Sequence, residues 1–270
     1  AAARKASPVN EADESITQPK ERWVLQVMLQ CPNIAVASLT KCQHVGPGQQ
    51  AYWPNIRHPL GLAKVDIEER MPSSAYRKLM EGIECMGIRP VSATTTVIDL
   101  GACPGGWTSV TRKYFDCRVI AVDRSEVDAS LMKDSRVTFV KGDAFAYEPP
   151  NAMSDDNDDN NDYWMISDVI AYPERATELL STWCRNKWAS NMIVTMKFQG
   201  DEPDLDELDN AIQIVGGLGY GCRVKHFFNN KNEVTFMVSE KGYDDDGIVR
   251  DARRTSLEIG VLGSTMFPSL

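Results

Sequence analysis

The chain has 270 residues, 43% of them hydrophobic and 25% charged, which suits one large globular domain with a small appendage. No run approaches the roughly 18 apolar residues of a membrane-crossing helix and the N-terminus lacks a secretory layout, so a soluble, non-secreted protein without a membrane partner is expected. A formal charge of −9 argues against phosphate-rich partners until its distribution is read: residues 154–162, 201–209 and 244–246 hold fourteen acidic and no basic side chains, leaving +5 for the rest.

Residues 1–20 are Ala-, Ser-, Glu- and Pro-rich without apolar period and predict a disordered lead-in. From Trp23 two β-rich runs separated by Cys-Pro-Asn predict a hairpin over 23–39, inside an N-terminal β extension spanning 21–70. Pro72-Ser73-Ser74 then caps a helix with Ala75, Leu79, Ile83 and Met86 on one face. From Thr95, apolar runs at 95–100, 118–122, 137–140, 163–167 and 192–196 alternate with amphipathic stretches near 106–114, 126–132, 173–188 and 205–218, which predicts an α/β fold with helices on both faces of a parallel sheet. Runs at 222–228 and 233–239, joined by Asn229-Asn-Lys-Asn232, add a C-terminal antiparallel hairpin and bring the mostly parallel sheet to seven strands. The main domain is expected over 71–242, with an acidic loop insertion at 154–162 and a tail at 243–270.

The seven cysteines are scattered, with no CxxC pair and no histidine at zinc spacing, so reduced thiols, a reducing cytoplasmic or organellar compartment and no metal site are expected.

The most informative stretch is Asp99-Leu-Gly-Ala-Cys-Pro-Gly-Gly-Trp107, where an apolar strand runs through a glycine-rich turn into a helix. Glycines let backbone approach a ligand, and the helix start offers unpaired N–H groups. The GxxxGG spacing is neither the dinucleotide GxGxxG nor a P-loop. Asp123 ends the next strand, where a carboxylate can accept ribose hydroxyls, and Asp143 follows the third, where it can accept from an adenine amino group with Ala144 against the ring. Helix capping is the plainer role for such aspartates.

The Asp99–Trp107 motif resembles that of the FtsJ/RrmJ family of ribose 2′-O-methyltransferases, and within it the bacterial branch acting on large-subunit rRNA. The likeness runs over residues 73–241 and implies a Rossmann-like class I methyltransferase fold. It also implies S-adenosylmethionine as cofactor, bound by Asp99, Gly101, Ala102, Cys103, Pro104, Gly105, Gly106, Trp107, Asp123, Asp143, Ala144 and Asp168. The family's Lys–Asp–Lys–Glu catalytic set falls on Lys78 (Pro72-Ser-Ser-Ala-Tyr-Arg-Lys-Leu-Met-Glu81), Asp168 (Met165-Ile-Ser-Asp), Lys197 (Val194-Thr-Met-Lys) and Glu233 (Asn232-Glu-Val). A 2′-hydroxyl is a weak nucleophile, so a positioned base must take its proton; Lys197 is the expected base, with Lys78 tuning it and Asp168 and Glu233 orienting the ammonium groups and the hydroxyl.

Other acceptors fit less well. Asp168-Val-Ile-Ala-Tyr172 is not the Asp/Asn-Pro-Pro-Tyr/Phe of amino methylation, and neither Cys184 nor Cys103 has the setting of a cytosine-attacking thiol. An RNA substrate, expected to be rRNA, could meet Arg57, His58, Arg70, Arg77, Arg112, Lys113, His226 and Lys231, with Tyr52, Trp53, Tyr76 and Trp107 as stacking platforms. A monomer is expected. Two alternatives stand beside this reading: a non-catalytic methyltransferase-fold assembly factor that binds RNA or ribosomes, and methylation of a small-molecule hydroxyl.

Overall fold

The computed structural model describes residues 65–90, 95–150, 162–200 and 203–243, together with the backbone of 23–31 and 34–41. The expected disordered lead-in at 1–20, most of the 21–70 extension, the acidic insertion at 154–161 and the tail beyond Tyr243 lie outside the described residues. Strands β1 (Trp23–Cys31) and β2 (Ile34–Lys41) pair antiparallel, from Trp23 opposite Lys41 to Cys31 opposite Ile34. This hairpin is a unit by itself, and the other described elements form a second.

That second unit is built on a seven-stranded sheet. In chain order its elements are α1 (Tyr76–Met86), β3 (Thr95–Leu100), α2 (Gly106–Val110), β4 (Arg118–Asp123), β5 (Val137–Lys141), β6 (Asp162–Ser167), α3 (Pro173–Arg185), β7 (Asn191–Lys197), α4 (Leu205–Gly217), β8 (Gly221–Lys225) and β9 (Glu233–Ser239). The strand order is β5-β4-β3-β6-β7-β9-β8, parallel except for β9, which runs antiparallel to both neighbours. Central parallel strands are covered on both faces, which is why they read as continuous apolar runs.

Alternate side chains feed two cores. Val97, Trp164, Ile166 and Ile193 pack with Tyr76, Leu79, Ile83, Met86 and Trp107 from α1 and α2. Ile98, Leu100, Met165, Met192, Val194 and Phe236 pack with Leu180 and Trp183 of α3 and Ala211 and Val215 of α4. Trp183 is fully enclosed and meets Trp188 edge-on, centroids 5.5 Å apart. Truncating such a side chain to alanine costs about 3–5 kcal/mol.

Two expected elements take other forms. The 126–132 stretch makes only a 3₁₀ turn at Leu131–Lys133. There the Asp128 carboxylate accepts from the backbone N–H and hydroxyl of Ser130 (2.8 and 2.5 Å), a local turn that competes with helix. The helix after the glycine turn is α-helical only to Val110 and continues as a π turn over Thr111–Phe115. By contrast, Asp204 caps α4 by accepting from the Glu207 N–H at 2.9 Å, with Asp206 and Glu207 in the first turn, as expected of an acidic run at a positive helix end.

Candidate active site

The carboxyl ends of β3, β4, β6 and β7 converge on one edge of the sheet, where ligands bind in open α/β folds. After β3 the chain turns through Gly101 (φ 78°) and Gly105 (φ 111°), backbone angles that L side chains rarely adopt. A methyl group on Gly101 would lie 2.9 Å from Val169 Cβ and 3.0 Å from its Cα, so the turn and the segment after β6 touch only because that position has no side chain. The N–H groups of Gly101 and Ala102 donate to the Val122 carbonyl (2.9 and 3.2 Å), fixing the turn to β4. Ala102 is buried, whereas Cys103 and Pro104, joined by a cis peptide bond, are exposed.

Three aspartates frame this turn, and each already has partners. Asp123 accepts from the N–H groups of Cys103 (3.0 Å) and Ser125 (2.8 Å), tying the turn to its own loop. Asp143 accepts from Phe145 N–H (3.0 Å) and Arg124 (2.6 Å), and these bonds hold its carboxyl below the usual carboxylate range. It thus caps the 3₁₀ turn that buries Ala144. Arg175 lies over the Phe145 ring, 4.5 Å from its centroid.

Asp99 is different. It is 1% exposed, and Thr108 Oγ1 donates to it at 2.6 Å. Burial pushes its carboxyl up to about 7, with the charges of Asp168 and Asp123 adding and Thr108 opposing. It lies beneath the turn, linking β3 to α2, rather than on its open side.

Lys78, Asp168, Lys197 and Glu233, separated by up to 155 residues in sequence, close into a ring. Lys78 Nζ donates to Asp168 Oδ1 at 2.6 Å and to Glu233 Oε1 at 3.0 Å. Lys197 Nζ donates to the same Asp168 oxygen at 2.9 Å and lies 3.6 Å from Glu233 Oε2. Two cations and two anions balance, as groups this far from water require. The fold explains the meeting: Lys197 ends β7 directly opposite Glu233, the first residue of antiparallel β9. Asp168 follows β6 next door, and α1 drops Lys78 across the gap. Of the two amines Lys197 is the more open, its side chain 17% exposed against 8% for Lys78.

A supporting layer was not anticipated. Glu81, one helical turn after Lys78, is fully buried; it accepts from the Phe228 N–H (2.9 Å) and Lys225 (3.3 Å), fastening α1 to the β8–β9 connection. Its spacing from Lys78 is the only trace in the sequence.

Several expected RNA contacts are corrected. Trp107 is 3% exposed and its indole N–H donates to the Ala75 carbonyl at 2.8 Å, so its ring is not an open platform for a base. Tyr76 is 2% exposed, its hydroxyl donating to the Asp66 carbonyl and accepting from the Glu68 N–H. Arg112 is committed to Asp134 and the Cys117 carbonyl, whereas Lys113 pairs with Glu68 but stays half exposed. Arg70, His226 and Lys231 are exposed and Arg77 half-buried, while Tyr52, Trp53, Arg57 and His58 lie outside the described residues.

The strand order with its reversed β9 and the glycine turn at the carboxyl edge define a Rossmann-like class I methyltransferase fold. Residues 71–184 match the family model described as FtsJ-like methyltransferase. The chain is 29% identical over 194 residues to ribosomal RNA large subunit methyltransferase M of Pseudoalteromonas atlantica, covering 67% of this chain and 51% of that protein. The namesake from Shewanella woodyi is likewise 29% identical, over 195 residues, with the same coverage. The chain therefore spans about half the length of the curated relatives it matches. Among solved structures, a protein named only provisionally as a hemolysin, from Streptococcus thermophilus, shares the fold with a TM-score of 0.51 at 16% identity, covering 65% of this chain and 70% of that one.

Proposed function

We propose that this chain is an S-adenosylmethionine-dependent RNA ribose 2′-O-methyltransferase acting on rRNA. The carrying observation is the closed Lys78–Asp168–Lys197–Glu233 ring at the carboxyl edge of the sheet, beside the turn that runs through Gly101 and Gly105 in left-handed backbone. The names of the similar bacterial enzymes support rRNA as the acceptor.

S-adenosylmethionine, when bound, supplies an electrophilic methyl group. Gly101 to Gly106 would hold it, with Asp123 and Asp143 along the nucleoside. Both carboxylates fit that role although they already accept backbone N–H groups, because each oxygen has a second lone pair.

Lys197, the more open amine, is the group an incoming 2′-hydroxyl reaches. Having given one ammonium proton to solvent, it takes the hydroxyl proton as the oxygen attacks, which restores the ammonium that Asp168 holds in the structure. Lys78 holds Asp168 and Glu233 in register, and Glu233 orients the acceptor hydroxyl. The four groups position the nucleophile and move one proton.

Methyl transfer from radiolabelled S-adenosylmethionine to unmodified large-subunit rRNA, read as alkali-resistant ribose, tests this. Lys197→Ala should abolish transfer while calorimetric cofactor affinity stays within about twofold. Retained turnover would remove Lys197 as the base, and failure of the unaltered chain to bind the cofactor would favour a non-catalytic binding module.

A further inference from the structure

Large apolar side chains more than a third exposed number seven among the described residues. Three of them, Ile170, Tyr172 and Phe228, lie on the connections that leave the carboxyl ends of β6 and β8, and a fourth, Leu205, opens α4 after β7, all towards the edge that carries the charged ring. Single exposed apolar residues need no explanation, but two on one short loop beside a charged site do. Ile170 is 81% exposed and Tyr172 64%, and they follow Asp168 by two and four residues.

This loop is held at both ends. Val169 packs against the glycine turn at Gly101. The Ala171 carbonyl accepts from Gln199 Nε2 at 3.4 Å, bridging to the segment after Lys197. Tyr172 then caps α3 in extended backbone (φ −68°, ψ 154°), its carbonyl accepting from the Arg175 N–H at 3.0 Å, with Pro173 fixing the first helical residue. The backbone that carries the ring is thus fixed at the start of α3, while the ring itself stands open to solvent.

Taking ribose methylation as the reaction, a 2′-oxygen that meets Lys197 brings its base to the surroundings of the ring. We propose that Ile170 and Tyr172 are the stacking platform for the base of the acceptor nucleotide, so that the substrate position is an unpaired or extruded nucleotide. A base inside a duplex has both faces already stacked and cannot use such a platform. Stacking on an aromatic ring tolerates any base, so the platform selects an unpaired nucleotide rather than a sequence.

The test titrates the full chain, saturated with S-adenosylhomocysteine, into a 12-nucleotide single-stranded RNA carrying 2-aminopurine, whose fluorescence falls on stacking. Tyr172→Ala should weaken binding at least about tenfold and remove the quench, and Ile170→Ala should weaken it less. Tyr172→Phe should keep both signals, since the ring and not the hydroxyl is used. Ile212→Ala, which truncates an exposed apolar residue within α4, should change neither. The platform is overturned if the chain does not bind the single strand, if Tyr172→Ala binds as tightly as the unaltered chain, or if a duplex of the same sequence binds equally well. Calorimetry with S-adenosylmethionine separates the two readings: loss of cofactor binding by the unaltered chain sinks the methyltransferase itself, whereas intact cofactor binding with an unaffected Tyr172→Ala sinks only the platform.

Discussion

Asp99 offers a prediction in which pH and structure can be set against each other. Its carboxyl is raised from an ordinary 3.8 to about 7 because it is buried beneath the glycine turn. Between those values the folded chain keeps the proton and the unfolded chain releases it. The group therefore imposes no penalty below pH 4, and it draws stability down as pH rises towards 7. The gap of about three pH units corresponds to a total of ~4 kcal/mol, of which about 3 kcal/mol falls between pH 5 and pH 8. Asp99→Asn keeps the shape and an acceptor for the Thr108 hydroxyl but cannot ionise. Urea unfolding of both chains at pH 5 and pH 8, followed by fluorescence of the buried Trp107, Trp164 and Trp183, reports on this group, because titrations not coupled to Asp99 cancel in the difference. The variant should gain about 3 kcal/mol relative to the unaltered chain on going from pH 5 to pH 8. Parallel pH profiles, agreeing within about 1 kcal/mol, would refute the assignment of a raised, buried carboxyl.

Two further substitutions probe the turn. Gly101→Ala should lose at least about 1–2 kcal/mol from left-handed backbone alone and, by displacing Val169 and with it Asp168, should lower methyl transfer more than tenfold, checked by urea unfolding and by turnover. Trp107→Phe keeps most of the buried ring but leaves the Ala75 carbonyl without its 2.8 Å donor; about 1–3 kcal/mol of stability should go, and kcat should fall while cofactor affinity holds.

Much of the fold is legible in the chain, for a physical reason. Strands buried on both faces must be apolar throughout, so β3, β4, β6 and β7 stand out as runs that end abruptly at Asp or Lys or just before an Asp. Asp128 and Ser130 hid the fate of 126–132, because apolar spacing there suits a helix while the carboxylate satisfies the backbone locally. Tyr76 and Trp107 look like platforms in a list of aromatics, yet their hydroxyl and indole N–H have buried partners that a sequence does not display. The four charged residues are individually visible as polar positions at strand ends. Their closure into a ring depends on Lys197 facing Glu233 across an antiparallel pair, a register that only the folded sheet specifies. Ile170 and Tyr172 stand in a stretch that sequence separates from the amino-methylation motif, but their exposure is likewise a property of the fold.

The bond from Trp107 to Ala75 has a mechanical meaning. Ala75 immediately precedes the first turn of α1, which carries Lys78, and a side chain on Gly106 would meet Ser73, so the glycine turn and the root of that helix lie in close contact. α1 thus carries its amine on a root that is joined to the glycine turn. A disturbance of the turn, whether from an occupant or from a lesion, reaches Lys78 through one turn of rigid helix. Damage at the glycine turn should therefore often surface as misalignment of the charged ring, and a screen that scored only cofactor retention would overlook it.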